Sequence, residues 1–169
     1  FAKLTEPDPS SGYTLDDNAR ALIVVANHYK KFMVPSSLKL VSIYLNFISH
    51  VTKPDGYFNN YVNSDRSINE IKNLQENSED SSARGLYALA LISTTKQIPK
   101  HLKYQARFLF EQSFQKNVVF TSPRAIAFYI KALYCLLSKW KEDKMVAVLR
   151  YNCEQLITLY EKSHSPDWE

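Results

Sequence analysis

Two carboxylates, an amide and a guanidinium crowd into Gly12-Tyr13-Thr14-Leu15-Asp16-Asp17-Asn18-Ala19-Arg20-Ala21-Leu22, and Ala21 to Ala26 has no polar side chain. A second acid pair, Glu79 and Asp80, precedes another Ala- and Leu-rich run, with Arg84 following. Paired carboxylates are the chemistry of glycoside hydrolysis. One acid protonates the leaving oxygen and another activates water, across roughly 6.5–9.5 Å in inverting enzymes. Asp17 and Glu79 are the leading catalytic candidates because neither has a base at helix-pair spacing; Asp16 and Asp80 follow them. Asp16 with Arg20, and Asp80 with Arg84, have the spacing of helix ion pairs worth about 0.2–0.5 kcal/mol, in which the acid also complements the helix dipole. Capping competes for Asp17, which stands shortly after Thr14 in a near capping box.

Around the acids, Tyr13, Asn18, Arg20 and Arg84 are candidates for holding a substrate. In the stretch 53–79, Tyr57, Phe58 and Tyr61 can stack on sugar faces, and Asn59, Asn60, Asp65 and Arg66 can bond hydroxyls. The alternative is that these aromatics pin the loop to the domain. Other chemistries find no support. His28, His50, His101 and His164 have no Ser or Cys partner in triad spacing. Cys135 and Cys153 sit in apolar helical patterns and read as reduced core thiols. Without CxxC or His-x-x-x-His there is no metal site to expect. Without GxGxxG or GxxxxGK[ST], and with only three glycines, no phosphate-cradling loop or cofactor is expected.

The elements that must position these residues are helices. Pro7, Pro9 and Gly12 keep the first 13 residues irregular. Helices are predicted at about 16–31, capped by Thr14 or Asp16; at 37–51, capped by Ser36 or Ser37; and at 80–94. Three more are predicted at about 100–116, at 123–138 behind the pair Ser122-Pro123, and at 142–161. The odd helices are small and apolar all round, which marks helices buried on most sides; the even ones are amphipathic. Between the second and third, residues 53–79 form a long connection without helical period, of the kind that serves as a binding loop.

Length and composition are those of one ordinary domain: 169 residues, 45% hydrophobic and 22% charged. The net charge of +4 comes from scattered basic residues, so no nucleic-acid groove is expected. Eleven tyrosines suit half-wet surfaces, sugar faces among them. No run is long enough to span a bilayer and no signal peptide opens the chain, which points to the cytoplasm. The first residue is Phe rather than Met, as in a piece cut from a longer polypeptide.

Aligned on their arginines, Asp16-Asp17-Asn18-Ala19-Arg20, Asp80-Ser81-Ser82-Ala83-Arg84 and Phe120-Thr121-Ser122-Pro123-Arg124 form a repeat. Repeated helix pairs bury their apolar faces by stacking. Greasy inner helices with amphipathic outer ones predict an all-α toroid of hairpins, with an open α-solenoid as competitor. In such a ring the acids share one rim, on helices about 8–10 Å apart. The same residues, with Asp55-Gly56-Tyr57-Phe58-Asn59-Asn60-Tyr61, Asp65-Arg66 and Ser78-Glu79-Asp80, resemble a bacterial (α/α)6 domain. That domain is similar to the six-hairpin glycosidases and often occurs on polypeptides assigned as glycosyltransferases. The resemblance implies a glycan partner at the rim of the inner-helix starts, either hydrolysed there or positioned for an attached transferase. Ser165-Pro166-Asp167-Trp168-Glu169 resembles the opening of the next inner-helix motif, so that about three of six hairpins are present. Uncovered hairpin faces then predict self-association.

Overall fold

The computed structural model describes residues 2, 3 and 6–165; Trp168 and all of that closing motif after Ser165 lie outside the described residues. Within them are seven helices: α1 Leu15–Phe32, α2 Pro35–Val51, α3 Glu70–Gln75, α4 Glu79–Thr94, α5 Lys100–Gln115, α6 Pro123–Leu137 and α7 Asp143–Ser163. Four strands of two residues each form two antiparallel pairs. β1 (Ala2–Lys3) lies against β2 (Glu6–Pro7), and β3 (Tyr13–Thr14) against β4 (Tyr61–Val62). No helix among the described residues is long and apolar enough to cross a membrane.

Three helical hairpins, α1/α2, α4/α5 and α6/α7, pack side by side, with α1, α4 and α6 as neighbours in one row. The central member is α4, which touches α1, α6 and its own partner α5. Every residue from Ser81 to Leu86 is buried, and Ala83, Gly85, Ala88 and Ala90 let the neighbouring helices approach closely. The expectation that all the odd helices are buried on most sides holds for α4 alone. In α1 burial is a single stripe of Leu15, Ala19, Leu22, Ala26 and Tyr29, while Val24 is 66% exposed. A helix with an inner neighbour on only one side has nothing to cover its remaining apolar residues. Composition does not reveal that position.

Helix ends decide one expectation between its alternatives and correct another. Thr14 caps α1: its hydroxyl accepts the Asp17 amide at 3.1 Å and donates to the Asp17 carboxylate at 2.6 Å. Neither Ser36 nor Ser37 caps α2, which starts at Pro35 behind Val34; Ser37 is buried and bonds His28 Nδ1 at 2.8 Å instead. Proline at the first helical position removes one of the unpaired amides, and the Ser37 amide is bonded to the Val34 carbonyl at 3.0 Å, so the helix starts without a side-chain cap.

The long connection after α2 is ordered by its own hydrogen bonds, and it contains α3, which the sequence pattern does not reveal. Isolated bridges join Thr52 to Phe58 and Val62 to Ile68. Asn73 on α3 accepts the amides of Asn60 (2.7 Å) and Tyr61 (2.9 Å) and donates to the Tyr61 carbonyl (2.8 Å). Asn60 in turn accepts the Leu15 amide on its carbonyl (2.8 Å) and the Asp16 amide on its side chain (3.2 Å). The loop therefore holds the first turn of α1. Both acceptor oxygens of Asn60 are used there.

Candidate functional site

The structure sorts the candidate residues into three groups. The first is an ion-pair ladder across the inner row. The Asp16 carboxylate meets Arg20 of its own helix at 2.7 Å and Arg84 of α4 through its other oxygen. Asp80 does not pair with Arg84, as helix spacing suggests. It lies 3.2 Å from Arg124 of α6 and accepts the Ser122 hydroxyl at 2.7 Å. Asp16 and Asp80 thus each reach the arginine of the next inner helix. The reason is burial: Arg84 is 8% exposed, and a guanidinium taken out of water requires a carboxylate beside it. Burial, and then the like charge of Arg124, pull the Arg84 guanidinium below its ordinary pKa. The ladder places Arg20, Arg84 and Arg124 at the same end of three parallel helices.

Beside the ladder is a cluster that the sequence reading did not single out. Arg84 stacks 4.6 Å from the Phe128 ring centre, Lys131 sits 4.5 Å over Tyr87, and the two rings are 6.2 Å apart. Tyr87 follows Arg84 by three residues and Phe128 follows Arg124 by four, the spacing of one helix face. Carrying the arginine alignment one turn further would have found both.

The second group is a groove of about 540 Å³ beside the start of α1. Tyr13 and Asn18 line it with Tyr44, Phe47 and His50 from α2 and with Arg66 from the loop. A pocket of about 410 Å³ adjoins it, sharing Tyr13, Asn18 and Tyr44 and adding Asp17. Arg66 sits at φ 72°, in the left-handed region, and its carbonyl lies 3.0 Å from His50 Nε2. Tyr44 and Phe47 read from sequence only as part of an amphipathic helix, so their rings carried no signal.

The third group is structural by its contacts. Phe58 is 2% exposed and belongs to the core. The Tyr57 hydroxyl donates to the Val119 carbonyl at 2.7 Å and accepts its amide at 2.9 Å, with the ring edge-on to Phe120. Tyr61 donates to Glu76, and Lys72 covers its ring at 4.1 Å. Asp65 closes a turn by accepting the Ser67 amide (2.9 Å) and hydroxyl (2.7 Å). Phe58 has no face left for a sugar, and the contacts of the half-buried Tyr57 and Tyr61 are those of the alternative reading, aromatics that pin the loop to the domain.

Glu79 caps a helix, though not its own. Its carboxylate accepts the Thr121 amide at 2.6 Å, the Ser122 amide at 2.9 Å and the Thr121 hydroxyl at 2.9 Å, at the start of α6. Burial opposes ionisation, but these bonds outweigh it and hold the carboxyl below its ordinary pKa. Glu79 therefore adds stability above the unfolded carboxylate range and loses it as pH falls through the folded value. Glu79→Gln is expected to cost about 1 kcal/mol at neutral pH, and the gap to the parent chain should close at an acid pH where the Glu79 carboxylate is protonated. Urea unfolding at both pH values checks this, and an equal gap at both would mean that charge is not what caps α6.

No family model and no curated protein matches the chain. Among solved structures it is similar to a cellobiose 2-epimerase from Spirochaeta thermophila DSM 6192, with a TM-score of 0.67 and 16% identity. The match covers 96% of this chain and 46% of the other, so the chain spans about half the length of the structure it matches. That enzyme is an (α/α)6 toroid. The chain has an α/α-toroid fold. In toroid terms, α1, α4 and α6 are the inner helices, α2, α5 and α7 the outer ones, and the ladder lies at the inner-helix starts.

Proposed function

We propose that this domain binds a carbohydrate at the inner-helix rim, in the groove around Tyr13, and presents it rather than hydrolysing it with the rim acids. The observation that carries the proposal is convergence. Three separate segments bring the rings of Tyr13, Tyr44 and Phe47 together with Asn18, His50 and Arg66 around one cleft of about 540 Å³. Flat apolar faces bordered by amide, imidazole and guanidinium groups suit a pyranose, which offers C–H faces and a belt of hydroxyls. The fold likeness to an enzyme named for cellobiose supports the same ligand class.

The positioning reading is favoured over hydrolysis by the state of the acids. Asp16 and Asp80 neutralise arginines, Asp17 bonds Thr14, and Glu79 is held below its ordinary pKa. A general acid needs the opposite shift. Hydrolysis by Asp17 and Glu79 is the second reading, and positioning a glycan for an attached transferase is compatible with the first.

Titrating the chain with a panel of oligosaccharides tests both. Tyr13→Ala and Phe47→Ala are each expected to weaken binding about tenfold, because a stacked ring removed forfeits about 1.4 kcal/mol. Asp17→Asn and Glu79→Gln should leave affinity intact. No bound sugar, or affinity indifferent to Tyr13→Ala, would sink the proposal. Turnover in the parent chain that disappears in Asp17→Asn or Glu79→Gln would replace positioning with hydrolysis.

A further inference from the structure

The ladder sets the inner-helix starts at one end, so the three turns that follow α1, α4 and α6 share the opposite end. Charge is segregated between the two. The rim end carries most of the acids discussed above, whereas the turn end exposes Lys30 and Lys31, Lys96 and Lys100, and Lys139 and Lys141. The acids there are Glu111 and Glu142, both tied to Arg107, and Asp143. Helix-end electrostatics explain only part of the pattern: Lys30 and Lys31 lie in the last turn of α1, where the dipole favours cations. α2 and α5 begin at this end with no acid in the first turn, where the helix dipole favours one.

Exposed apolar side chains lie among these lysines. Phe32, Met33 and Val34 form the tip between α1 and α2, at 55, 52 and 37% exposure. Trp140 is 40% exposed between Lys139 and Lys141, and Arg107 stacks on its ring at 4.7 Å. A groove of about 450 Å³ lined by Lys100, Lys103, Tyr104 and Trp140, and by the Arg107–Glu111 pair, joins the second turn to the third.

We infer that this end of the toroid arc docks on an anionic membrane surface. Lysines near a bilayer are drawn to acidic headgroups, and Phe and Trp flanked by them settle at the headgroup level. A nucleic acid would satisfy the lysines but leave Phe32, Met33 and Val34 in water. Arg107, the arginine beside these tips, is already engaged by Glu111 and Glu142 and so is not open for the bidentate phosphate contact that nucleic-acid surfaces favour. The membrane face is at the other end from the Tyr13 groove, so a docked domain would hold its rim toward solvent. The inference stands apart from the carbohydrate proposal.

Flotation of the chain with vesicles tests it, using phosphatidylcholine alone and phosphatidylcholine mixed with phosphatidylserine, at low and raised salt. Binding is expected on the mixed vesicles only, falling with salt. Lys30→Glu with Lys31→Glu should weaken it at least about tenfold. Met33→Ser and Trp140→Ser, which leave net charge unchanged, should each weaken it several-fold. All these positions are exposed, and a helical far-ultraviolet spectrum confirms that each variant is folded. The inference is overturned by absence of binding to the acidic vesicles at low salt. Binding that Met33→Ser and the lysine reversals leave unchanged, or an RNA oligomer bound with full strength by Met33→Ser, would overturn it equally.

Discussion

Asp16→Ala is expected to destabilise the domain by about 2–3 kcal/mol and to lower its melting temperature by about 5–10 °C. The substitution strands Arg84, which is 8% exposed and already beside the like charge of Arg124, without a counter-charge. The cost lies below that of a fully buried broken pair because the Asp16 side chain is 26% exposed. Removing the other partner gives the control. Arg20→Ala deletes a guanidinium that is 61% exposed and should move stability by less than about 0.5 kcal/mol. Combining Asp16→Ala with Arg84→Met should recover much of the loss, since an apolar side chain of similar length needs no carboxylate. Thermal melts of the four chains decide the matter: equal effects of Asp16→Ala and Arg20→Ala would show that the cross-helix rung carries no weight.

Gly12→Ala is expected to cost about 3 kcal/mol and to abolish binding in the Tyr13 groove even where the helices stay folded. Gly12 sits at φ 77°, ψ −158°, a region that side chains rarely enter. A Cβ there would stand 2.2 Å from the Val62 carbonyl oxygen, which is backbone and cannot rotate away. Relief requires β3 to leave β4, and that pairing sets Tyr13 against Val62 at the mouth of the groove. Gly85→Ala is the contrasting case. Its Cβ would lie 3.4 Å from a Leu15 methyl, an ordinary contact in the middle of α4, so the change should be neutral or add up to about 1 kcal/mol. Melting curves for both variants, with sugar affinity measured below the melt, separate loss of the groove from loss of the fold. A Gly12→Ala chain as stable as its parent would contradict the account.

Much of the architecture was legible because helices are local. The periodic apolar runs placed every long helix to within a few residues, and aligning Arg20, Arg84 and Arg124 exposed the repeat that makes a ring of hairpins. The short α3 escaped because a six-residue helix, capped by Asn69 and tied down by Asn73, needs no apolar period of its own. Spacing also made Asp80 and Arg84 look like partners, since a helix brings residues four apart together whatever surrounds them.

Tertiary packing decided what spacing leaves open. Arg84 turned to Asp16 because the α1–α4 contact takes its guanidinium out of water, and Asp80 was left for Arg124. The same rule divided the aromatics: Phe58 disappeared into the core and Tyr57 fastened the loop, while Tyr44 and Phe47, ordinary members of an amphipathic helix, came to face Tyr13. Which ring meets solvent, and which acid meets which base, follows from the rotation of one helix against the next and from the cost of stranding a charge. Neither quantity is written in any single stretch of chain.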